Sequence, residues 1–596
     1  DTVWASGKAP LGYNATNLLT TVGYGGDTAN KHITTYYRKR VNVTSAAALP
    51  ATLEFRLRAD DGAVVYVNNT EALRVNLPTG TVSNTTLSSA DMKAPAEDVY
   101  FTYDVPKTAF TDGLNIVAVE VHQSAKNSKD HAFDLAISNP NGTSNPTDIG
   151  CNATTDLHIG CFTSLLPRPQ NDTFQIPSTH AYQFLAQTGD PLTIGTGTVK
   201  SNFDFTGYVA KNGTSSTEGW IDLNHERGNK TGGVSVFGVH FNAATGLWVV
   251  DSVGAVDFST VAETQANCSG GVTPWETSIT CEEDYPSTGD ANGDGYIDFG
   301  WNVEVDPKTR KVKDYGNGPE KLWAMGRMSH ENVVVHKDRK TVYFGEDDGL
   351  GALYKFVANT AGNLSAGSLY VLKLDQPLSG NEPTGTTGTW VSVPNTTKQE
   401  RNDVKIFGSA MGSTFSGIED VEIGTIDSQV YFTAKGFNRI YRFADNGTTV
   451  SDFQTYAGGK TYRVTSGTDV ISEAWGSGND NLAFDDRGNL WVLQDGGRNH
   501  VWVIRPGHTQ ANPKIEVFMH IPREAEPTGM TFTPDYKYMF ISIQEPAPSI
   551  TVPKTDVAGV TKIVNKSTMM VISRKEYLGV PQSVKEVAVL DRNVRI

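Results

Sequence analysis

Through residues 1–140 apolar and polar side chains alternate with a period of two. Ala51-Thr52-Leu53-Glu54-Phe55-Arg56-Leu57-Arg58 and Gly62-Ala63-Val64-Val65-Tyr66-Val67 are the clearest runs. Such alternation turns one face of a strand into a core and the other toward water. Asp60-Asp61-Gly62 and Asn68-Asn69 follow the runs as turn chemistry for antiparallel hairpins. This part of the chain is expected to be a β-sandwich. Residues 141–170, rich in Asn, Pro, Ser and Thr, read as a linker. From residue 171 a different unit recurs at irregular spacing: an apolar strand, a turn with Asp, Gly or Lys, a second apolar strand and a polar or acidic end. It appears over 239–251, 333–348, 421–433, 482–495 and 530–545. With the stretch Thr273 to Glu283 the units number six. Repeated antiparallel units predict propeller blades, whose inner strands share one channel, so 171–596 is expected to be a six-bladed β-propeller.

Composition supports an all-β fold class. Gly 58 and Pro 27, with no long run of helical period, suit many short strands and turns. The 596 residues exceed one ordinary core. A net charge of -16 excludes a nucleic-acid partner and suits bound cations. No stretch of about 18 apolar residues is present to span a membrane. A basic and apolar leader is not seen at Asp1, which leaves a removed leader and none at all both open. About fourteen Asn-x-Ser/Thr sequons, among them Asn14, Asn42, Asn84, Asn152, Asn171, Asn212, Asn363, Asn446 and Asn565, favour a secreted protein with N-linked glycans. Cys151 and Cys161 bracket a short loop and are expected to pair; Cys268 and Cys281 either form a second disulfide or leave Cys281 free as a ligand.

The chemistry concentrates on acidic residues near the strand ends. Asn224-His225-Glu226, Cys281-Glu282-Glu283, His330-Glu331, Asp347-Asp348, Glu419-Asp420, Asp480-Asn481 and Glu526 recur along the propeller region, where a shared channel would bring them together. Several carboxylates in one pocket demand cations, protons or full solvation. A second calcium candidate is Asp290-Ala291-Asn292-Gly293-Asp294-Gly295-Tyr296-Ile297-Asp298, which matches the first nine positions of an EF-hand loop but has Trp301 at the twelfth. Asp290, Asn292, Asp294 and Asp298 would hold calcium there, or the stretch is an Asp/Gly-rich turn. Asp60, Asp61, Glu120 and His122 read as turn chemistry and satisfied surface polarity. There is no phosphate-binding Lys loop, no dinucleotide fingerprint and no Gly-x-Ser-x-Gly elbow.

The stretch Asn267-Cys268-Ser269-Gly270-Gly271-Val272-Thr273-Pro274-Trp275-Glu276-Thr277-Ser278-Ile279-Thr280-Cys281-Glu282-Glu283, which opens with a Gly-Gly turn, resembles the signature of PhoX-type alkaline phosphatases. Similar segments run over 200–550, including Gly326-Arg327, Tyr354-Lys355-Phe356-Val357, Asp480-Asn481-Leu482-Ala483-Phe484-Asp485 and Thr528-Gly529. The resemblance implies a six-bladed propeller carrying a phosphomonoesterase site that uses Ca2+ and Fe3+. It implies Glu226, Cys281, Glu282, Glu331, Asp347, Asp348, Glu419 and Asp480 as metal ligands, with Glu282, Glu331, Glu419 and Asp480 serving catalysis. Two departures stand out. Gly417-Ile418-Glu419 replaces the family's Arg-Pro-Glu, and Trp275-Glu276 replaces Trp-Gly, so a phosphate-clamping guanidinium is missing; Arg327, Lys435 or Arg498 are the basic residues that would substitute. Ala9-Pro10-Leu11-Gly12-Tyr13, Arg58-Ala59-Asp60-Asp61-Gly62 and Ala118-Val119-Glu120-Val121-His122-Gln123 resemble a module of secreted phosphoesterases, which implies a galactose-binding-like jelly roll. The expected protein is a secreted, metal-dependent phosphomonoesterase acting on a small phosphoester. The alternatives are a non-catalytic, calcium-stabilised extracellular glycoprotein, binding an extracellular glycan for instance, and a propeller hydrolase of phosphodiesters or lactones.

Overall fold

In a computed structural model the described residues are 9–15, 18–43, 52–93, 100–138 and 156–581, with Gly7, Ala46, Leu49 and Cys151 as single positions. The sequon at Asn152, the side chain of Asn42 and residues 141–150 of the expected linker lie outside them. The described residues form two compact units, one up to Ser138 and one containing Cys151 and everything from 156 onward.

The first unit is a β-sandwich. One sheet orders Thr20–Thr21, Leu11–Tyr13, His131–Ser138, Thr52–Asp60 and Phe101–Pro106; the other orders Thr34–Val43, Gly113–His122, Gly62–Val67 and Thr70–Val75. Phe55, Leu57, Phe133 and Leu135 from the first meet Val65, Val67, Val117 and Val119 from the second in one core. The alternation thus sorts the side chains as expected. Asn68 and Asn69 form the hairpin turn, both with positive φ (51° and 67°), the backbone a two-residue turn of this hand demands. Asp60-Asp61-Gly62 does not make a hairpin: it carries the chain from one sheet to the other. Asp61 is buried because its carboxylate accepts the Met92 and Ser124 amides, each at 2.7 Å, tying two loops to the corner. Glu120 and His122 are likewise buried rather than at the surface. Glu120 accepts the Tyr66 hydroxyl at 2.6 Å, and His122 Nδ1 lies 2.7 Å from the Thr86 carbonyl oxygen.

The second unit is a six-bladed propeller. The inner strands, in blade order, are Phe203–Ala210, Asn267–Val272, His330–Val335, Val421–Ile423, Asn479–Phe484 and Glu526–Phe532. Each packs beside the next, and the sixth beside the first. The second strands are Glu218–His225, Ser278–Glu282, Thr341–Glu346, Val430–Ala434, Leu490–Gln494 and Tyr538–Gln544. Blade 6 takes its outermost strand, His180–Gln187, from the start of the unit, where it pairs antiparallel with Thr568–Arg574 and closes the ring. Apolar clusters fill the gaps between adjacent blades, such as Trp491 against Met539 and Met570 between blades 5 and 6 and Val236 against Val303 and Val305 between blades 1 and 2.

Three expectations change in detail. The repeat at 239–251 is the outer half of blade 1, strands Gly233–Asn242 and Leu247–Ala255, because an outer hairpin has the same apolar-turn-apolar pattern as an inner one. Gly270-Gly271 is no turn but part of an inner strand: a Cβ on Gly271 would stand 1.9 Å from the Val333 carbonyl oxygen, so only glycine lets blades 2 and 3 approach so closely. The segment read as linker is partly core. Cys151 and Cys161 form a disulfide, Phe162 packs on Trp491 and Phe518, and Leu165 bridges to Val517 of blade 5.

Phe184 lies in the closing strand and in the core between blades 5 and 6. Phe184→Ala is expected to cost ~3–5 kcal/mol in urea unfolding; an unchanged midpoint would mean that this strand does not hold the ring closed.

Candidate metal centre

Because second strands run toward the same end of the channel at which inner strands begin, both sets of ends meet at one mouth. The residue directly after each second strand is Glu226, Glu283, Asp347, Lys435, Asp495 and Glu545 in blades 1 to 6. Around them, at the starts of inner strands, stand Asp204, Glu331, Glu419, Asp480 and Glu526. Oxygens of Glu331, Glu419 and Asp480 all lie within 4.8 Å of one another, and so do those of Asp480, Asp495 and Glu526. Sequence spreads these side chains over residues 204–526, and blade closure makes them one cluster.

The electrostatics are severe. Burial pushes the carboxyls of Asp204, Glu331, Glu419, Asp480 and Glu526 upward, and neighbouring carboxylates push them further. Glu283 is raised to about 8 by burial and by the charges of Glu226 and Asp347. Lys435 is the one cation reaching this cluster among the described residues. Its Nζ lies 2.8 Å from Asp480, 3.0 Å from Asp495 and 3.3 Å from Glu419. Burial alone would lower its pKa, but these three carboxylates hold it raised. On the other side of the mouth, buried Asp204 Oδ1 and Gln544 Oε1 have no hydrogen-bond partner, although Gln544 Nε2 donates to Glu226 at 2.7 Å. Unpartnered buried acceptors in an acidic cluster fit a bound cation, and the converging donors are all oxygens, the set that hard cations such as Ca2+ take.

Side chains between blades fix this mouth. Asn224 Nδ2 donates to the Cys268 and Ser269 carbonyl oxygens at 2.7 and 2.9 Å. Asp420 accepts the Leu482 amide at 2.8 Å, Asn481 accepts the Gly529 amide at 2.9 Å, and Thr528 donates to the Phe203 carbonyl oxygen at 2.7 Å. Beneath the carboxylates a cavity of about 230 Å3 runs between Phe205, Gly271, Asn332, Asn481 and Met530. A wider cleft of about 410 Å3 between blades 3 and 4 lies away from the carboxylates; its Asp445 is already held by Lys355, Tyr343 and Trp390.

Of the residues singled out from sequence, Glu226, Glu331, Asp347, Glu419 and Asp480 meet at the mouth. Glu282 does not. Adjacent strand residues face opposite ways, so Glu283 enters the mouth while Glu282 binds Lys321 Nζ at 2.7 and 2.8 Å and accepts from Thr264 and Trp301. Asp348 turns to Lys405 at 2.9 Å. Cys268 and Cys281 are free thiols within the apolar gap between blades 2 and 3, and neither joins the converging groups. Burial raises the Cys281 thiol, and the charges of Asp204 and Asp420 raise it further. Asp290, Asp294 and Asp298 also fail to converge. Asp290 accepts the Asp294 and Gly295 amides and Asp298 the Ala291 amide, while Asn402 docks the loop by accepting from Ile297 at 3.0 Å. Of the substitute basic residues, Arg327 donates to the Phe299 and Pro286 carbonyl oxygens and Arg498 pairs with Glu473, leaving Lys435 at the site. Asp204 and Asp495 were missed; the position directly after each second strand is the signal that finds Asp495.

A family model described as alkaline phosphatase PhoX matches residues 241–547, from the outer half of blade 1 into blade 6. Among solved structures the chain is similar to Pseudomonas fluorescens PhoX in complex with vanadate, a transition state analogue, with 20% identity and a TM-score of 0.54 over 71% of this chain and 99% of that one. It also matches the periplasmic gluconolactonase PpgL of Pseudomonas aeruginosa, with 11% identity and a TM-score of 0.33 over 66% and 99% of the two chains. Comparison with curated proteins found no match.

Two outcomes follow from this geometry. Lys321→Met, which strands Glu282 in the interior, is expected to lose ~3–5 kcal/mol of stability, and Lys321→Met with Glu282→Leu to regain most of it; equal losses in both, measured by urea unfolding, would show that the pair itself is not what matters. A carboxyl whose folded pKa is raised is stabilising while protonated, so stability falls as pH climbs from the ordinary 4.5 of Glu283 toward its folded value of about 8. Metal-free protein should therefore melt at progressively lower temperature across that window, and a flat Tm would contradict the crowding of charge described above.

Proposed function

This chain belongs to the alkaline phosphatase PhoX family, and on that premise we propose that its channel-mouth carboxylates hold calcium, together with iron, for hydrolysis of a small phosphomonoester. Membership makes it a phosphatase-type hydrolase. The single observation that supports the metal reading most is the convergence of Glu331, Glu419 and Asp480 on one point that Asp480 shares with Asp495 and Glu526. Asp204, Glu226 and Glu283 would complete the donors on the side that Lys435 does not contact. Bound there, the cations would supply the Lewis acidity and charge stabilisation that phosphoryl transfer requires.

The protein's own contribution is positioning. Gln544 orients Glu226, the Ser269 amide points at Glu331 Oε1 from 3.4 Å, and Lys435 holds Glu419, Asp480 and Asp495 in one place. Gly417, where the resembling family has arginine, has φ +64°, and a Cβ there would lie 3.1 Å from Asp347 Oδ1 and 3.3 Å from Lys435 Cβ. The lysine stem therefore fills the space beside the position of that arginine. An oxygen-only donor set suits calcium and ferric iron alike, whereas ligation through Cys281 has no support in this geometry. The loop at Asp290 to Asp298 remains a second calcium site by proposal, resting on its residue pattern alone.

A secreted, glycosylated protein is in keeping with the Cys151–Cys161 disulfide and with exposed sequons at Asn14, Asn84, Asn171, Asn212 and Asn446. The sequons at Asn267 and Asn395 are buried and would carry no glycan. The reading of the first unit as a galactose-binding-like jelly roll rests on the sequence resemblance, which implies no ligand.

Turnover of p-nitrophenyl phosphate, with calcium and iron content measured on the same sample, tests the reading. Asp480→Asn is expected to lower kcat ~10³-fold while the fold persists by circular dichroism, since Asp480 belongs to both converging groups and positions them through Lys435. Undiminished turnover in Asp480→Asn or after chelation would sink it, and hydrolysis of a phosphodiester or lactone in place of the monoester would change the substrate class.

A further inference from the structure

The residue directly after the second strand is acidic in blades 1, 2, 3, 5 and 6 and basic in blade 4. A positive charge therefore stands at a place where the repeat otherwise puts a negative one. Lys435 is half-buried there, with its ammonium group turned onto carboxylates. Its Nζ contacts Glu419 from its own blade and Asp480 and Asp495 from blade 5, all within 3.3 Å. Two backbone features set the side chain there: the Lys435 amide donates to the Gly417 carbonyl oxygen at 2.7 Å, and Gly417 has no Cβ to crowd the lysine stem.

The cluster is thereby divided. Glu419, Asp480 and Asp495 have an ammonium group among them. Asp204, Glu226 and Glu283 have none within the contacts of the described residues, Glu331 stands between the two sets within 4.8 Å of Glu419 and Asp480, and the orphaned acceptors Asp204 Oδ1 and Gln544 Oε1 lie with Asp204 and Glu226. An ammonium group that touches three carboxylates at 2.8–3.3 Å neutralises about one charge and fills the volume in which a cation would sit. We propose that Lys435 is a tethered cation that takes the place of one metal ion, so that the mouth binds one divalent cation fewer than its carboxylates would otherwise hold and directs incoming metal to the Asp204, Glu226 and Glu283 side. The inference rests on the metal reading of this same site.

Metal content decides it without reference to activity. Wild type, Lys435→Met, Lys435→Asn and Lys435→Arg would be loaded with calcium, dialysed and measured by elemental analysis, with calcium titration calorimetry on the metal-depleted proteins. Lys435→Met and Lys435→Asn are expected to bind about one more divalent ion per chain than wild type, and Lys435→Arg the same number as wild type. Should Lys435→Met fold poorly when depleted, its melting temperature is expected to rise more on adding calcium than that of wild type. A loaded wild type with equal or fewer ions in both uncharged variants overturns the proposal. A wild type that binds no metal at all overturns instead the reading on which it rests.

Discussion

Like-charge repulsion at the channel mouth is the constraint to which the rest of the propeller answers. Blades that converge on one axis must bring the same end of every inner and second strand together, and here those ends are acidic. A solvated loop could let such side chains spread into water. This mouth cannot, because Glu331, Glu419 and Asp480 are nearly excluded from solvent and the strands bearing them are cross-tied by Asn224, Asp420, Asn481 and Thr528. The closing strand His180–Gln187 and the apolar clusters between blades resist opening. Packing energy thus holds the charges where Coulomb energy would scatter them, and that opposition is the ordinary signature of a functional site.

The architecture was legible because period-two alternation is a property of each strand by itself. Residues 51–67 sorted into two facing layers, and four of the six inner-and-second-strand pairs coincide with runs visible in the sequence, while in blade 2 only the second strand does. Blade 1 was read out of phase because nothing local distinguishes an inner hairpin from an outer one; position relative to the channel is a tertiary fact. Closure by a strand from the start of the unit was invisible for the same reason. The corner at Asp60-Asp61-Gly62 has turn residues that suit a hairpin, yet the partners of Asp61, Met92 and Ser124, are distant in sequence and send the chain to the other sheet.

The site was half legible. Acidic pairs marked the right places, but a pair does not say which member faces inward. In Glu282-Glu283 and Asp347-Asp348 the decision falls to strand parity and to the lysine waiting on the opposite face, Lys321 for Glu282 and Lys405 for Asp348. Cys281 shares the parity of Glu283, but it lies two residues deeper in the strand, in the apolar gap between blades. Family resemblance brought these positions forward; only geometry separates the carboxylates that converge from those that brace the walls.

How this chain treats its other buried carboxylates argues for cations at the mouth. Glu282 is matched with Lys321, Glu346 with Lys405 and Asp445 with Lys355, and the buried Asp222, Glu304 and Asp485 with hydrogen-bond donors such as Ser278, Thr277 and Asn489. Those sites are self-sufficient, since the partner charge or donor is encoded next to the need for it. At the mouth the same chain sets Asp204, Glu226, Glu283, Glu331, Asp347, Glu419, Asp480, Asp495 and Glu526 against Lys435 alone among the described residues. Protonation relieves part of that excess, as the raised carboxyls show, but it weakens as pH rises through the window in which Glu283 ionises. What remains is a crowd of carboxylates with neither a cation nor enough hydrogen-bond donors of its own, and that is the deficit the proposed cations would meet.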